Sequence, residues 1–249
     1  MLKHSIKRRR ILKGIAAGAL VPILGACGDE TPGNASHRDY ATVFESIPPL
    51  SGTASTTKVM HQLLEELRQA YETIGEHVSS TLATPIAPTE LVERCQWFPG
   101  TLPAELLALY SWRGGQEPEK DNTSSPFVFR DVEFSTPERA RDEYSSMMSS
   151  YGSMPPIDAR VELKYCFPFA AFSGGWYVFP CRGQAIDLLH PRAIINVFQG
   201  VDVFFHSFEM MLRTCIDWVK DPTYNNLSIG WGDNEKKIWQ KYNPGVFDR

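Results

Sequence analysis

A chain of 249 residues with 43% hydrophobic and 12% aromatic content can bury a sizeable core, which excludes a wholly disordered protein. A formal net charge of −4 at pH 7 excludes a strongly basic nucleic-acid binder. Five cysteines without a Cys-x-x-Cys pair give no zinc or thioredoxin-like spacing, and no metal or cofactor is expected.

The chain opens on Lys7-Arg8-Arg9-Arg10-Ile11-Leu12-Lys13, followed by a small, apolar run to Ala26. A basic stretch ahead of a short apolar run has the order of a bacterial export signal. Arg8 and Arg9 resemble the arginine pair of the twin-arginine pattern, an address read by a receptor. The apolar run is shorter than the roughly 20 residues a spanning helix needs, so a permanent transmembrane helix is not expected. Leu24-Gly25-Ala26-Cys27 resembles a lipobox, which implies cleavage after Ala26 and a lipid on Cys27; the alternative is an ordinary cleaved signal. Gly28, rather than Asp, follows Cys27, which by resemblance to known lipoproteins favours the outer membrane.

Removing residues 1–26 takes away six of the 25 basic side chains and none of the 29 acidic ones, leaving a net charge of −10. Such a surface repels nucleic acid and attracts basic partners over about a Debye length. Residues 27–57, with Pro48-Pro49 and Ser51-Gly52, read as a flexible tether with an r.m.s. reach of about 30 Å. Residues 58–249 are expected to form one folded domain.

From Lys58 to Leu82, apolar residues at Val59, Met60, Leu63, Leu64, Leu67, Tyr71, Ile74, Val78 and Leu82 recur at helical steps, with His61 and His77 on the same helix. Thr89 is the expected N-cap of a second helix, and Pro103 opens a third that Gly114-Gly115 stops. Strand character runs from Phe127 to Phe134, and Thr136 starts another helix towards a Ser-rich stretch around Met147 and Met148 that reads as mobile. Cys166–Phe172, Trp176–Pro180, Ala185–Leu189, Ile194–Phe198 and Val201–Phe205 follow, joined by turns too short for parallel crossovers. Ser207 caps a late helix, and a segment around Ile238, Trp239 and Tyr242 packs back on the body. The expected fold is α+β: N-terminal helices, an antiparallel β-meander with helices packed on one face, and a C-terminal helix. Cys166 and Cys181 flank the Ser173-Gly174-Gly175 turn; in an oxidising compartment they can bridge, or both can stay as buried thiols.

Phe98-Pro99-Gly100-Thr101-Leu102-Pro103-Ala104-Glu105-Leu106-Leu107-Ala108-Leu109-Tyr110, leading into Trp112-Arg113-Gly114-Gly115, resembles the signature of the SUKH superfamily, a Leu-Pro opening a helix that ends in an Asn-Gly or Gly-Gly turn. Phe167-Pro168-Phe169, Gly174-Gly175-Trp176-Tyr177, the strand pair Ile194 to Phe205 and Ser207-Phe208 agree with it in order, over roughly Lys58 to Lys220. Trp112-Arg113 departs from the usual polar approach to that turn. The resemblance implies a bacterial immunity protein that neutralises a toxin by binding it, here in the periplasm. Its fungal branch implies the alternative, an envelope-associated structural or regulatory binding protein acting on cell-wall machinery.

An enzyme needs a nucleophile and base, or metal ligands, at workable spacing. The chain has no His-Glu-x-x-His, no Gly-x-Ser-x-Gly and no phosphate-cradling glycine loop, so no catalytic residue is expected. His190 and His206 stand at strand ends and read as structural. Candidate partner-binding residues are Trp112, Glu117, Asp121, Trp176, Asp187 and Asp202, within a wider acidic set that adds Glu119, Asp131 and Glu133. For Trp176 the readings are core residue or exposed anchor. The expected partners are a protein toxin and, through Cys27, a membrane; oligomeric state is open.

Overall fold

The chain divides into two compact units, Met1–Arg38 and Asp39–Arg249. The computed structural model describes residues 53–117, 128–129, 132–152, 162–172, 174–181, 193–198, 200–223 and 232–246, all within the second. Arg8, Arg9, Cys27, Asp121, Asp187 and the expected strand Ala185–Leu189 lie outside the described residues, as do Glu119, Asp131 and His190.

The fold is α+β, as expected, with six α-helices and a five-stranded antiparallel sheet among the described residues. Helix α1 (Thr53–Thr73) begins inside the stretch expected to be tether and buries Met60, Leu64, Leu67 and Tyr71. It stops short of Leu82 because Gly75, at φ +82°, turns the backbone left-handed, where a side chain is strained. A 3-10 turn, Val78–Thr81, follows, so exposed His77 is not on the helix. Helix α2 (Pro88–Arg94) starts with Pro88 at its first position, one residue before the expected cap Thr89. Helix α3 (Ala104–Trp112) has Pro103 as its N-cap.

Strand β1 is only Glu133–Phe134, shorter than the expected run from Phe127. Helix α4 (Pro137–Tyr151) is capped by Thr136, whose Oγ1 accepts from Arg139 N at 3.3 Å, and it carries the Ser-rich stretch as regular helix. Strands β2 (Cys166–Phe172), β3 (Gly175–Pro180), β4 (Ile194–Val197) and β5 (Val201–Phe205) complete a meander in the order β1-β2-β3-β4-β5. Strand β3 pairs directly with β4, Tyr177 opposite Asn196. Helix α5 (Phe208–Lys220) is capped by Ser207, whose Oγ accepts from Met210 N at 3.1 Å, and α6 (Asp233–Tyr242) packs against it.

Alternation along the strands builds two apolar layers. Phe167, Phe169, Phe179 and Phe205 join the main core with α1, α3 and α5, where Phe208 meets the Phe169 and Phe179 rings at 5.9 and 5.1 Å. Cys166, Trp176, Val178, Ile195 and Val197 point to the other face and pack with Met147 of α4. The helices are therefore not confined to one face of the sheet. Expecting that confinement overlooked that β2 and β3 are buried almost throughout, which requires cover on both sides.

Two polar hubs fasten the layers. Gln116 is 3% exposed; its Oε1 accepts from Val128 N at 3.1 Å and Phe134 N at 3.0 Å, and its Nε2 donates to Thr81 Oγ1 at 3.2 Å. Gly115 precedes it at φ +119°, with its Cα so close to Thr136 that a Cβ would lie 2.6 Å from that backbone nitrogen. Asn243, fully buried just past α6, accepts from His206 N at 3.0 Å and donates to Thr214 Oγ1 and Trp239 O. Buried polar groups satisfied in this way specify one arrangement of the elements around them.

Candidate interaction surface

In an antiparallel meander, alternate turns lie at the same end of the sheet. The β2–β3 turn at Gly174 and the β4–β5 turn at Phe198–Gly200 are therefore neighbours. Directly opposed residues share a face, which sets Tyr177, Asn196 and Asp202 in one row across β3, β4 and β5. Phe198, 39% exposed, lies with its ring 5.4 Å from that of Phe172, and Phe172 is 5.8 Å from Tyr177. Tyr177 continues the series to Phe204 at 5.3 Å. Phe172, Tyr177, Asn196 and Asp202 are all partly exposed.

The result is an aromatic surface at one end of the sheet, with a carboxylate on β5. Aromatic rings of this kind give a protein partner large contact area at small conformational cost, and their faces attract cations. Asp202 adds charge of the sign that favours a basic partner.

The other expected site residues fall elsewhere. Trp112 is 5% exposed and its Nε1 donates to Glu65 Oε1 at 2.7 Å, tying α3 to α1. Burial pushes the Glu65 carboxyl up, but hydrogen bonds from Arg68 and Trp112 more than offset it, leaving it below its ordinary range. Trp176 is likewise 5% exposed, faces α4 and donates its indole N–H to the Glu143 carboxylate. Neither indole is an exposed anchor, because each N–H already has a carboxylate acceptor within the fold. Glu117 is exposed but follows Gln116, whose N–H donates to Phe134 O of β1. Asp202 lies on the opposite edge strand, roughly 19 Å away across four inter-strand spacings, so the two form no single site. Glu133 is ion-paired with Arg139 at the α4 side.

Cys166 and Cys181 form no disulfide. Cys166 pairs across the sheet with Pro180, so Cys181, one residue on, belongs to the opposite face; the two side chains sit in different core layers. Flanking a turn brings backbones together, but a one-residue offset turns the side chains apart. His61 Nε2 lies 3.0 Å from both Ala108 O and Ser111 Oγ, and His206 Nε2 lies 2.9 Å from Pro244 O, so both histidines bind neighbouring segments together.

The residues missed in the sequence are Phe172, Tyr177 and Phe198. The available signal was geometric, since two turns one hairpin apart must share an end of the sheet. The chain matches no model of a known protein family and no curated protein.

Proposed function

We propose that this chain is an exported, lipid-anchored immunity protein of the SUKH type that binds and neutralises an antibacterial toxin in the periplasm, using the aromatic end of its sheet. The observation that carries the reading is Phe198, a large apolar side chain 39% exposed and continuous with the Phe172 and Tyr177 rings. Ile74 and Val92, the other large apolar side chains exposed among the described residues, are aliphatic and lie just after α1 and on α2. The resemblance of Leu102-Pro103 and Gly114-Gly115 to the superfamily signature supports the class, and Cys27 supplies the anchor.

The test is protection. Any candidate toxin found encoded beside this chain is directed to the periplasm of a sensitive host, with and without the full-length protein. Protection is expected from the native chain. It is lost with Phe198→Ser, while that variant keeps the native melting temperature. Loss of a buried aromatic anchor worth about 2 kcal/mol weakens binding about 30-fold. Because the expected partner is basic, the affinity also falls as salt rises from low to physiological concentration. Unchanged killing in the presence of the native chain removes the pairing; full protection by Phe198→Ser removes the surface.

A further inference from the structure

Gly175 opens β3, pairs with Phe172 across the β2–β3 hairpin and is buried. Unlike Gly75 and Gly115 it has no left-handed φ, so its backbone conformation does not require glycine. What requires glycine is space. A Cβ on this residue would overlap Phe172 Cζ and lie 2.7 Å from Cε2 and 2.9 Å from Cε1. The Phe172 ring therefore lies on the Gly175 backbone, in the volume that a side chain would take. All three atoms belong to the far end of one partly exposed side chain. A methyl group at 175 thus pushes the ring outward and leaves the strand pairing in place.

The seated ring supports the exposed one. Phe198 lies with its ring 5.4 Å from that of Phe172, inclined at 58°, and Phe172 meets Tyr177 at 5.8 Å and 60°. A side chain as exposed as Phe198 keeps one orientation only where a neighbour holds it. A ring held in advance loses less freedom when a partner closes over it, and the saving appears as affinity.

We propose that Gly175 is a positioning residue of the interaction surface: its missing side chain seats the Phe172 ring, and that ring holds Phe198 in the orientation a partner meets. The inference rests on the reading of the aromatic end of the sheet as the toxin-binding surface.

The purified full-length chain carries 4-fluorophenylalanine at position 198, in the native background and with Gly175→Ala, Phe172→Ala or both. Fluorine NMR reads the surroundings of the Phe198 ring with no partner present. Gly175→Ala is expected to move or broaden the native resonance while the melting temperature stays within about 2 °C of native. In the Phe172→Ala background the same glycine substitution leaves the resonance where Phe172→Ala put it. Affinity is then measured on the four proteins with a toxin that the native chain neutralises. Gly175→Ala weakens it about 10-fold, and the double variant binds no worse than Phe172→Ala alone. A general loss of folding does not produce that non-additivity. An unmoved resonance in Gly175→Ala overturns the proposal, as does unchanged affinity, or a loss that adds in full to that of Phe172→Ala. A Gly175→Ala chain that melts far below native overturns it too, because the strand and not the ring has then given way. If the native chain neutralises no candidate toxin, the immunity reading fails separately, and the fluorine spectra still decide the ring seat.

Discussion

Replacing Gln116 with leucine tests whether one buried amide organises the region where the 3-10 turn, β1 and the chain before it meet. The native Oε1 accepts from the backbone N–H groups of Val128 and Phe134, and Nε2 donates to Thr81. Leucine fills similar space but strands two buried donors, at about 1–3 kcal/mol each. Its extra apolar burial offsets about 1–2 kcal/mol of that, so the net loss centres on about 2.5 kcal/mol. For a domain whose total stability is about 5–15 kcal/mol, this is a large fraction. With a urea slope of about 2 kcal/mol per molar, the unfolding midpoint falls by about 1–2 M. Equilibrium unfolding followed by tryptophan fluorescence reads this directly. The exposed neighbour substitution Glu117→Ala is the control and stays within about 0.5 kcal/mol. A Gln116→Leu midpoint within about 0.3 M of the native one, with an unchanged slope, would refute the reasoning.

Gly115→Ala combines a left-handed φ with a Cβ placed 2.6 Å from Thr136 N, and is expected to lose at least about 2 kcal/mol or to leave the soluble fraction; a native-like melting curve counts against the turn geometry. At Asp217, burial pushes the carboxyl up, but hydrogen bonds from Lys241 and Tyr242 more than offset it and hold it below its usual range. A depressed folded pKa contributes stability above the ordinary carboxylate range that is lost as pH falls through the folded value. Asp217→Asn should therefore be less stable than native at pH 7 and converge with it in strong acid, as read by urea midpoints across that range; a pH-independent gap excludes this linkage.

The helices were legible where periodicity and caps coincided. Thr136 and Ser207 cap as expected because a hydroxyl ahead of an apolar-periodic segment has one dominant use, to accept from the third N–H onward. The β2 and β5 bounds were readable from their flanking turns. Ends set by one backbone conformation were not: nothing in the apolar spacing distinguishes Gly75 as the stop of α1 from a helical glycine. The placement of α4 on the second face is hard to read because its sequence is polar outside Ala140, Tyr144, Met147, Met148 and Tyr151. At the candidate surface, the sequence offered Trp112 and Trp176 among the partner-binding candidates, with core residue as the other reading of Trp176. The fold buries both Trp112 and Trp176 on carboxylates contributed by other helices, Glu65 and Glu143, partners that no local pattern reveals.

The position of Asn243 governs when this protein becomes a finished object. Its amide oxygen receives the N–H of His206 at the end of β5, 37 residues earlier, and its amide nitrogen reaches Thr214 in α5, 29 residues earlier. Strand β5 and helix α5 must wait for synthesis to reach Asn243 before these polar contacts are made. A chain cut before that asparagine lacks the latch between strand and helix, and such a cut is expected to act on the whole domain.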